Sequence, residues 1–191
     1  MSLLNAIKLD LRANTYSKKA AIVVVMYRIA NHIALSRSAV IRILGYPILK
    51  IYQVFIVWLW GIDIPYFTKI GVGLNLGHGG AVVVNSDTVI GDRVLLRQFT
   101  TIGNKGLNMS GSPVIGNDVE IGANCVLIGD ITIGNNVIIG AGSVVTKSIP
   151  ADSVAYGNPL KITGRTVFGG SKPAHHKRAR NMQMVTGNLV A

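Results

Sequence analysis

An aliphatic residue returns at every sixth position between Ile115 and Val145: Ile115, Ile121, Leu127, Ile133, Ile139 and Val145. Glycine follows directly at four of those six positions, as Gly116, Gly122, Gly134 and Gly140. Four residues after each aliphatic stands a second small or branched side chain: Val119, Cys125, Ile131, Val137, Ser143 and Ile149. A period of six matches neither the turn of an amphipathic helix nor the alternation of a strand. It matches a coil in which each short rung turns a corner and buries one side chain per repeat. One rung cannot bury its apolar face alone, so stacked rungs join these side chains into a continuous core.

The step is also present upstream, with two breaks. Ile64, Ile70-Gly71 and Leu76-Gly77 keep it, but Val84 follows Leu76 by eight, so two residues are inserted around His78-Gly79-Gly80. Stepping resumes at Ile90-Gly91, Leu96 and Ile102-Gly103, then skips thirteen residues to Ile115. The skipped stretch, residues 104–113, is rich in Gly, Ser and Asn and predicts an extended loop. After Val145 the coil closes at Ile149-Pro150-Ala151-Asp152, followed by Gly157-Asn158-Pro159. Departures from a strict repeat are where function tends to sit, because loops carry sites on a rigid scaffold.

Charge divides the chain in the same places. Between Asp63 and Gly164 six Lys/Arg face seven acidic residues, so the coil is near neutral although the whole chain is +11. The other thirteen basic residues lie in the flanks, opposed only by Asp10. That predicts an anionic surface such as phospholipid, or an acidic partner, for the flanks rather than for the coil. No recognised nucleic-acid motif accompanies the charges and the aromatics do not interleave with them, so nucleic acid is not expected. The single cysteine, Cys125, cannot form an internal disulfide, which fits a reducing compartment, and its inward repeat position marks it as core filler. No signal peptide is expected, and the predicted location is cytoplasmic, with a peripheral position at the inner membrane face as the option the basic flanks open.

Three segments are expected: a helical N-terminal region 1–62, the coil domain 63–164 with its loop 104–113, and a basic, solvated tail 165–191. Ser17 is placed to cap a helix over Ala20 to Ser36, and Ser38 a shorter one ending at Leu44. Gly45-Tyr46-Pro47 predicts a break, with Pro47 opening a further helix to Trp60 whose inward face carries Leu49, Tyr52, Ile56 and Leu59. That face reads as core or oligomer contact, with membrane contact through Trp58 and Trp60 as the alternative. The uncharged run Ile51 to Ile62 is shorter than the roughly twenty residues of a spanning helix, so no span is expected. His175 and His176 adjoin in the basic tail and predict no metal site.

His78 is the one histidine in the coil region, set among Gly77, Gly79 and Gly80 at the first break. Asp63 stands fifteen residues earlier, where helix gives way to coil. An imidazole titrating near neutrality can take a proton from a hydroxyl, and a carboxylate can fix its tautomer. These residues, with Ile139-Gly140-Ala141-Gly142-Ser143-Val144-Val145 and Gly157-Asn158-Pro159, resemble the serine acetyltransferase branch of the hexapeptide-repeat acyltransferases over about residues 62–164. The resemblance implies a mainly β fold, a left-handed parallel β-helix of triangular section, and a homotrimer. It also implies His78 as general base held by Asp63, with acetyl-CoA as co-substrate and no metal.

The same resemblance places acetyl-CoA in a groove between subunits, against Gly103, Gly122, Ala123, Gly140 and Ala141 aligned on one edge. Corner geometry alone is the competing reason for each of these glycines. Lys147 is expected to meet the coenzyme phosphates, with Lys161 and Arg165 as weaker candidates. Two departures bear on the acceptor. The serine enzymes have an aspartate directly before the histidine, where this chain has Gly77, and an Arg-His pair where this chain has Gly111-Ser112 before Pro113. The groups that would hold the charges of serine are absent. Similarity is greater to serine-acetyltransferase-like enzymes of bacterial exopolysaccharide synthesis, the colanic acid type among them, a subgroup that Asp10-Leu11-Arg12-Ala13-Asn14 also resembles. That implies an O-acetyltransferase acting on a saccharide hydroxyl. A serine O-acetyltransferase and a non-catalytic β-helix scaffold of a glycan assembly remain the alternatives.

Overall fold

The structure is a computed structural model that describes residues 2–106 and 111–164. The tail 165–191, with Arg165 and the paired histidines, and the loop centre 107–110 lie outside the described residues. Three helices open the chain: α1 (Leu3–Ala13), α2 (Lys18–Ala34) and α3 (Ala39–Ile51). Each begins on a serine whose side chain accepts an orphan N–H of the first turn: Ser2 from Asn5, Ser17 from Ala20, Ser38 from Ile41.

The predicted break at Gly45-Tyr46-Pro47 does not occur. Helix α3 runs through Pro47 and continues as a π-helix over Tyr52–Leu59. Proline removes the bond to the carbonyl of Ile43, but both residues are exposed, so water can reach that carbonyl. On the other face Gly45 lets α3 approach α2 closely: a Cβ there would stand 2.5 Å from Ile33 Cγ2. Tertiary packing thus outweighs the local stop signal. The π winding also changes the inward face. Trp60 N–H bonds the carbonyl of Phe55, five residues back, so Trp60 packs against the core while Leu59 is exposed. The continuous helix Ala39–Leu59 has 21 residues and a mean hydropathy of 1.6, long and apolar enough by length and composition to cross a membrane. The sequence expectation of no span rested on the uncharged run Ile51 to Ile62 being too short; the helix also takes in Arg42 and Lys50 and runs through Pro47.

From Ile62 the chain winds as a parallel β-solenoid of three sheets. The first holds β1 (Ile62–Asp63), β4 (Val82–Val84), β7 (Thr100–Gly103), β10 (Val126–Ile128) and β13 (Val144–Val145). The second holds β2 (Lys69–Ile70), β5 (Val89–Ile90), β8 (Val114–Ile115) and β11 (Thr132–Ile133). The third holds β3 (Asn75–Leu76), β6 (Leu95–Leu96), β9 (Glu120–Ile121), β12 (Ile138–Ile139), β14 (Ser153–Tyr156) and, antiparallel at its end, β15 (Lys161–Gly164). Three six-residue rungs make one coil, so Val82 lies beside Thr100, eighteen residues on. Lys69 lies beside Val89, twenty on, which registers the two-residue insertion at His78. All twelve inward repeat positions from Ile115 to Ile149 are buried, Cys125 and Ser143 among them.

A solenoid that starts abruptly leaves a row of backbone groups unpaired on its first coil. The helical layer satisfies them. Tyr52 Oη donates to the carbonyl of Ile64 (2.7 Å), Asn31 to Tyr66 (2.6 Å), Tyr27 Oη to Thr68 (2.5 Å), and Asn14 to Leu74 (2.7 Å). Arg28 donates to the carbonyls of Ile70 and Gly71. In the other direction, Gly73 and Leu74 N–H donate to Asp10 Oδ1, and Leu76 N–H donates to Asn14 Oδ1. Asp10 is fully buried and pairs with Arg28 Nε at 2.6 Å. The one acid of the helical flank is therefore an internal clamp between α1, α2 and the first coil. Burial raises the phenols of Tyr27 and Tyr52 above the usual tyrosine range. At Tyr27 the Arg28 charge opposes that rise, and at Tyr52 the neighbouring Tyr27 and Asp63 add to it.

Candidate active site

Asp63 is the exposed second residue of β1, on the outer face of the first sheet beside Val83. It lines an open groove of about 460 Å³ with Phe67, Asn85, Thr101, Gly103 and Ile128. His78 lies in the inserted 3-10 turn Gly77–Gly79, at the edge between the third and first sheets. Its backbone is left-handed (φ 60°) and its side chain exposed. The turn is anchored from below: a Cβ on Gly79 would come within 2.9 Å of Ala20 N at the start of α2. Six other non-glycine residues share a positive φ, each at a corner three residues after an inward aliphatic. His78 stands only two after Leu76, and Gly79 takes the regular corner place; that displaced turn is the local irregularity. Among the described residues no hydrogen bond or ion pair links His78 to Asp63 within one subunit. Both side chains face solvent rather than packed hydrocarbon.

Register separates the residues expected to hold the coenzyme into two sets. Leu76, Leu96, Ile121 and Ile139 stack in the third sheet, so Gly77, Arg97, Gly122 and Gly140 follow one another along the same edge as His78. Gly122, Ala123 and Ala141 line a second groove there, with Arg97, Gln98 and Glu120. Gly103 instead ends β7 in the first sheet and pairs with Ile128, and Lys147 is exposed two residues beyond β13. The expected alignment of Gly103 with Gly122 and Gly140 on one edge is therefore not found. Gly122 and Gly140 differ by one coil of eighteen residues, whereas Gly103 follows Ile102, one rung past Leu96 of the third sheet, and so falls on a different edge.

The reasons for the glycines also differ. A Cβ on Gly122 would lie 2.5 Å from Ala141 N, so coil stacking alone requires glycine there. At Gly103 the nearest atom to such a Cβ is 3.9 Å away, so packing leaves that position open. Gln98 was not singled out from the sequence. Its Oε1 is buried without a hydrogen-bond partner in the structure, it lines the second groove, and its Cβ packs under Gly80 of the His78 turn. The available signal was Arg97-Gln98 standing where other rungs carry Gly after the aliphatic. Asn85, also missed, accepts a hydrogen bond from Ser112 Oγ (3.1 Å), tying the base of the 104–113 loop to the first groove. No group of His, Cys, Asp and Glu able to hold a metal is present among the described residues.

Coil, corners and capped first turn together define a hexapeptide-repeat transferase. Residues 112–147 match the bacterial transferase hexapeptide (six repeats) family. The WcaB protein of Escherichia coli (strain K12), provisionally assigned as a colanic acid biosynthesis acetyltransferase, is 38% identical over 155 residues, covering 80% of this chain and 96% of that protein. Soybean serine acetyltransferase, as the apoenzyme, superposes with a TM-score of 0.68 at 30% identity, over 85% of this chain and 69% of that one. A serine acetyltransferase in complex with CoA gives 0.66 at 25% identity, over 85% and 70%. The chain belongs to the hexapeptide-repeat acetyltransferases, in the branch that holds the colanic acid and serine acetyltransferases.

Proposed function

We propose that this acetyltransferase moves an acetyl group from acetyl-CoA to a saccharide hydroxyl, in the assembly of an exopolysaccharide or other surface glycan. The observation that carries the reading is the exposed His78, fixed in a left-handed inserted turn on the edge that also bears Gly122, Ala123 and Ala141. In this reading His78 accepts the proton of the acceptor hydroxyl as its oxygen bonds the acetyl carbon. The carbon–sulfur bond breaks, and His78 returns the proton to the departing CoA thiolate. Asp63 steadies the imidazolium across the rim of the first sheet, and Gln98 offers a hydrogen-bonding group beside it.

The split of the coenzyme residues is consistent with a homotrimer. The edge of one subunit, with Gly122-Ala123 and Gly140-Ala141, would face the Gly103 and Lys147 side of the next. Lys147 there meets the coenzyme phosphates as a point charge. The groove lined by Gly122, Ala123 and Ala141 suits a pantetheine arm reaching backbone donors. Serine is disfavoured as acceptor because Gly77 and Gly111-Ser112 supply no charged partners for its ammonium and carboxylate. With a basic helical flank and tail, we place the enzyme on the cytoplasmic side, at the inner membrane face.

The test is an acceptor screen with acetyl-CoA, reading thiol release and locating the added acetyl by mass spectrometry, with free serine as a parallel arm. Acetylated saccharide is expected from the native chain, and His78→Ala should lower the rate by roughly 10²–10⁴-fold. Near-native turnover in that variant removes His78 from the mechanism, and acetylation of serine alone overturns the acceptor.

A further inference from the structure

The helix Ala39–Leu59 is packed on one face only. Gly45, Tyr52 and Ile56 are buried against α2 and the first coil. The opposite face is almost wholly hydrocarbon and open: Ile43 is 71% exposed, Leu44 75%, Trp58 72% and Leu59 68%. A helix apolar all round is characteristic of a core or a membrane rather than of a surface in water. Two charges interrupt this face, Arg42 and Lys50, and both are positive. Between Leu11 and Ile62 the chain has no Asp or Glu, and Asp10 is buried against Arg28, so this layer exposes no carboxylate.

We infer that the outer face of this helix is a docking surface for an anionic phospholipid bilayer, on which it lies in the interface rather than crossing it. This rests on the acetyltransferase reading only in giving the peripheral location a defined surface. The chemistry is that of interfacial helices. Leucine, isoleucine and phenylalanine enter the acyl boundary, Trp58 and Tyr46 sit at headgroup level, and Arg42 and Lys50 reach the lipid phosphates by extending their aliphatic stems. A carboxylate-free layer is complementary to anionic headgroups, and each exposed basic residue near such a surface strengthens binding about fivefold. The helix is long enough to span, but Tyr52 donates a hydrogen bond to Ile64 of the first coil and Gly45 seats α3 on α2. Spanning would strip these contacts, whereas docking flat keeps them and covers only the open face.

The experiment uses the full chain with vesicles of phosphatidylcholine, with and without phosphatidylglycerol, read by co-sedimentation and by Trp fluorescence in a Trp60→Phe background, where Trp58 is the reporter. The native chain is expected to bind the anionic vesicles with a blue shift of Trp58. Ile43→Ser/Leu44→Ser is expected to weaken binding at least tenfold at unchanged circular dichroism, and Arg42→Gln/Lys50→Gln about twenty-fivefold on anionic vesicles only. A chain lacking residues 165–191 should still show the blue shift. Absence of binding, equal binding by the apolar double variant, or loss of all binding with the tail would overturn the inference. So would a fall in oligomeric state of that variant by analytical ultracentrifugation without lipid, which assigns the face to a second copy. Acetyl transfer to a soluble acceptor, measured on the same samples, separates failure of docking from failure of the proposed function.

Discussion

The clamp at Asp10 can be tested most sharply, because its partners on the first coil are all fixed by geometry. Its carboxylate accepts from Arg28 Nε at 2.6 Å and Nη2 at 3.3 Å, from Gly73 N at 2.7 Å and from Leu74 N at 3.1 Å. Asp10→Ala leaves the buried guanidinium without its counter-charge, a loss of about 3–5 kcal/mol for an interrupted buried pair. Two coil N–H groups also lose their acceptor, at about 1–3 kcal/mol each. Water entering the vacated volume offsets part of that second cost, so we take about 4–6 kcal/mol in all. For a chain of this length each kcal/mol moves Tm by about 2–4 °C, giving a fall of roughly 8–24 °C. Thermal unfolding followed by circular dichroism at fixed protein concentration measures it. Adding Arg28→Met removes the stranded charge and should recover part of the loss, but not all, because the carbonyls of Ile70 and Gly71 then lack their donor. A fall of less than about 2 °C in Asp10→Ala, against the several kcal/mol expected for a broken buried pair, would refute the clamp. Full recovery in the double variant would show that the bonds to the coil contribute nothing.

Three further outcomes follow from the same geometry. Gly122→Ala should lower Tm and misplace the coil, because its Cβ meets Ala141 N at 2.5 Å, whereas Gly103→Ala should keep its stability. Weaker acetyl-CoA binding by Gly103→Ala at unchanged Tm would then report coenzyme contact, and a destabilised Gly103→Ala would refute the distinction. Because burial raises the Tyr27 and Tyr52 phenols, the unfolded chain loses these protons first, above about pH 10, and stability should fall as pH rises beyond it, by up to about 1.4 kcal/mol per pH unit for each. Flat stability above pH 10, or recovery there, contradicts the burial. Burial likewise raises the Cys125 thiol, which should stay inert to aromatic disulfide reagents until denaturant unfolds the coil. Native-state labelling at the rate of a free thiol would place Cys125 outside the core.

The coil was legible because its period is a property of the sequence: each inward position from Ile115 to Ile149 is buried where the six-residue step put it. The serine caps were legible for the same local reason. What failed was a local signal opposed by packing. Gly45 and Pro47 read as a stop, but the glycine is there to let α3 meet Ile33, and the proline falls where its orphaned partner faces water. Leu59 was placed inward by α-helical spacing, which the π winding does not follow. The cap on the first coil was out of reach in another way. Asn14 and Leu76, or Asp10 and Leu74, lie more than sixty residues apart, and no periodicity connects them.

For the candidate site, counting was informative once taken modulo the full coil. Gly122 and Gly140 are eighteen residues apart and share an edge; the residue eighteen before Gly103 is Asn85, and both lie on the first sheet. The two breaks in the repeat obey the same arithmetic. The insertion at His78 falls between β3 and β4, where the third sheet passes into the first, and the 104–113 loop falls between β7 and β8, where the first passes into the second. Both therefore border the outer face of the first sheet, the face on which Asp63, Val83 and Thr101 lie in neighbouring strands. A coil with no function at that face would gain nothing from interrupting its stacking at both of its edges. An acceptor held there would meet the histidine turn on one side and the Asn85-Ser112 contact on the other. Restoring the six-residue step by deleting two residues around Gly79-Gly80 should thus abolish transfer while leaving the solenoid folded, and retained activity in that shortened chain would argue that the reacting groups lie elsewhere.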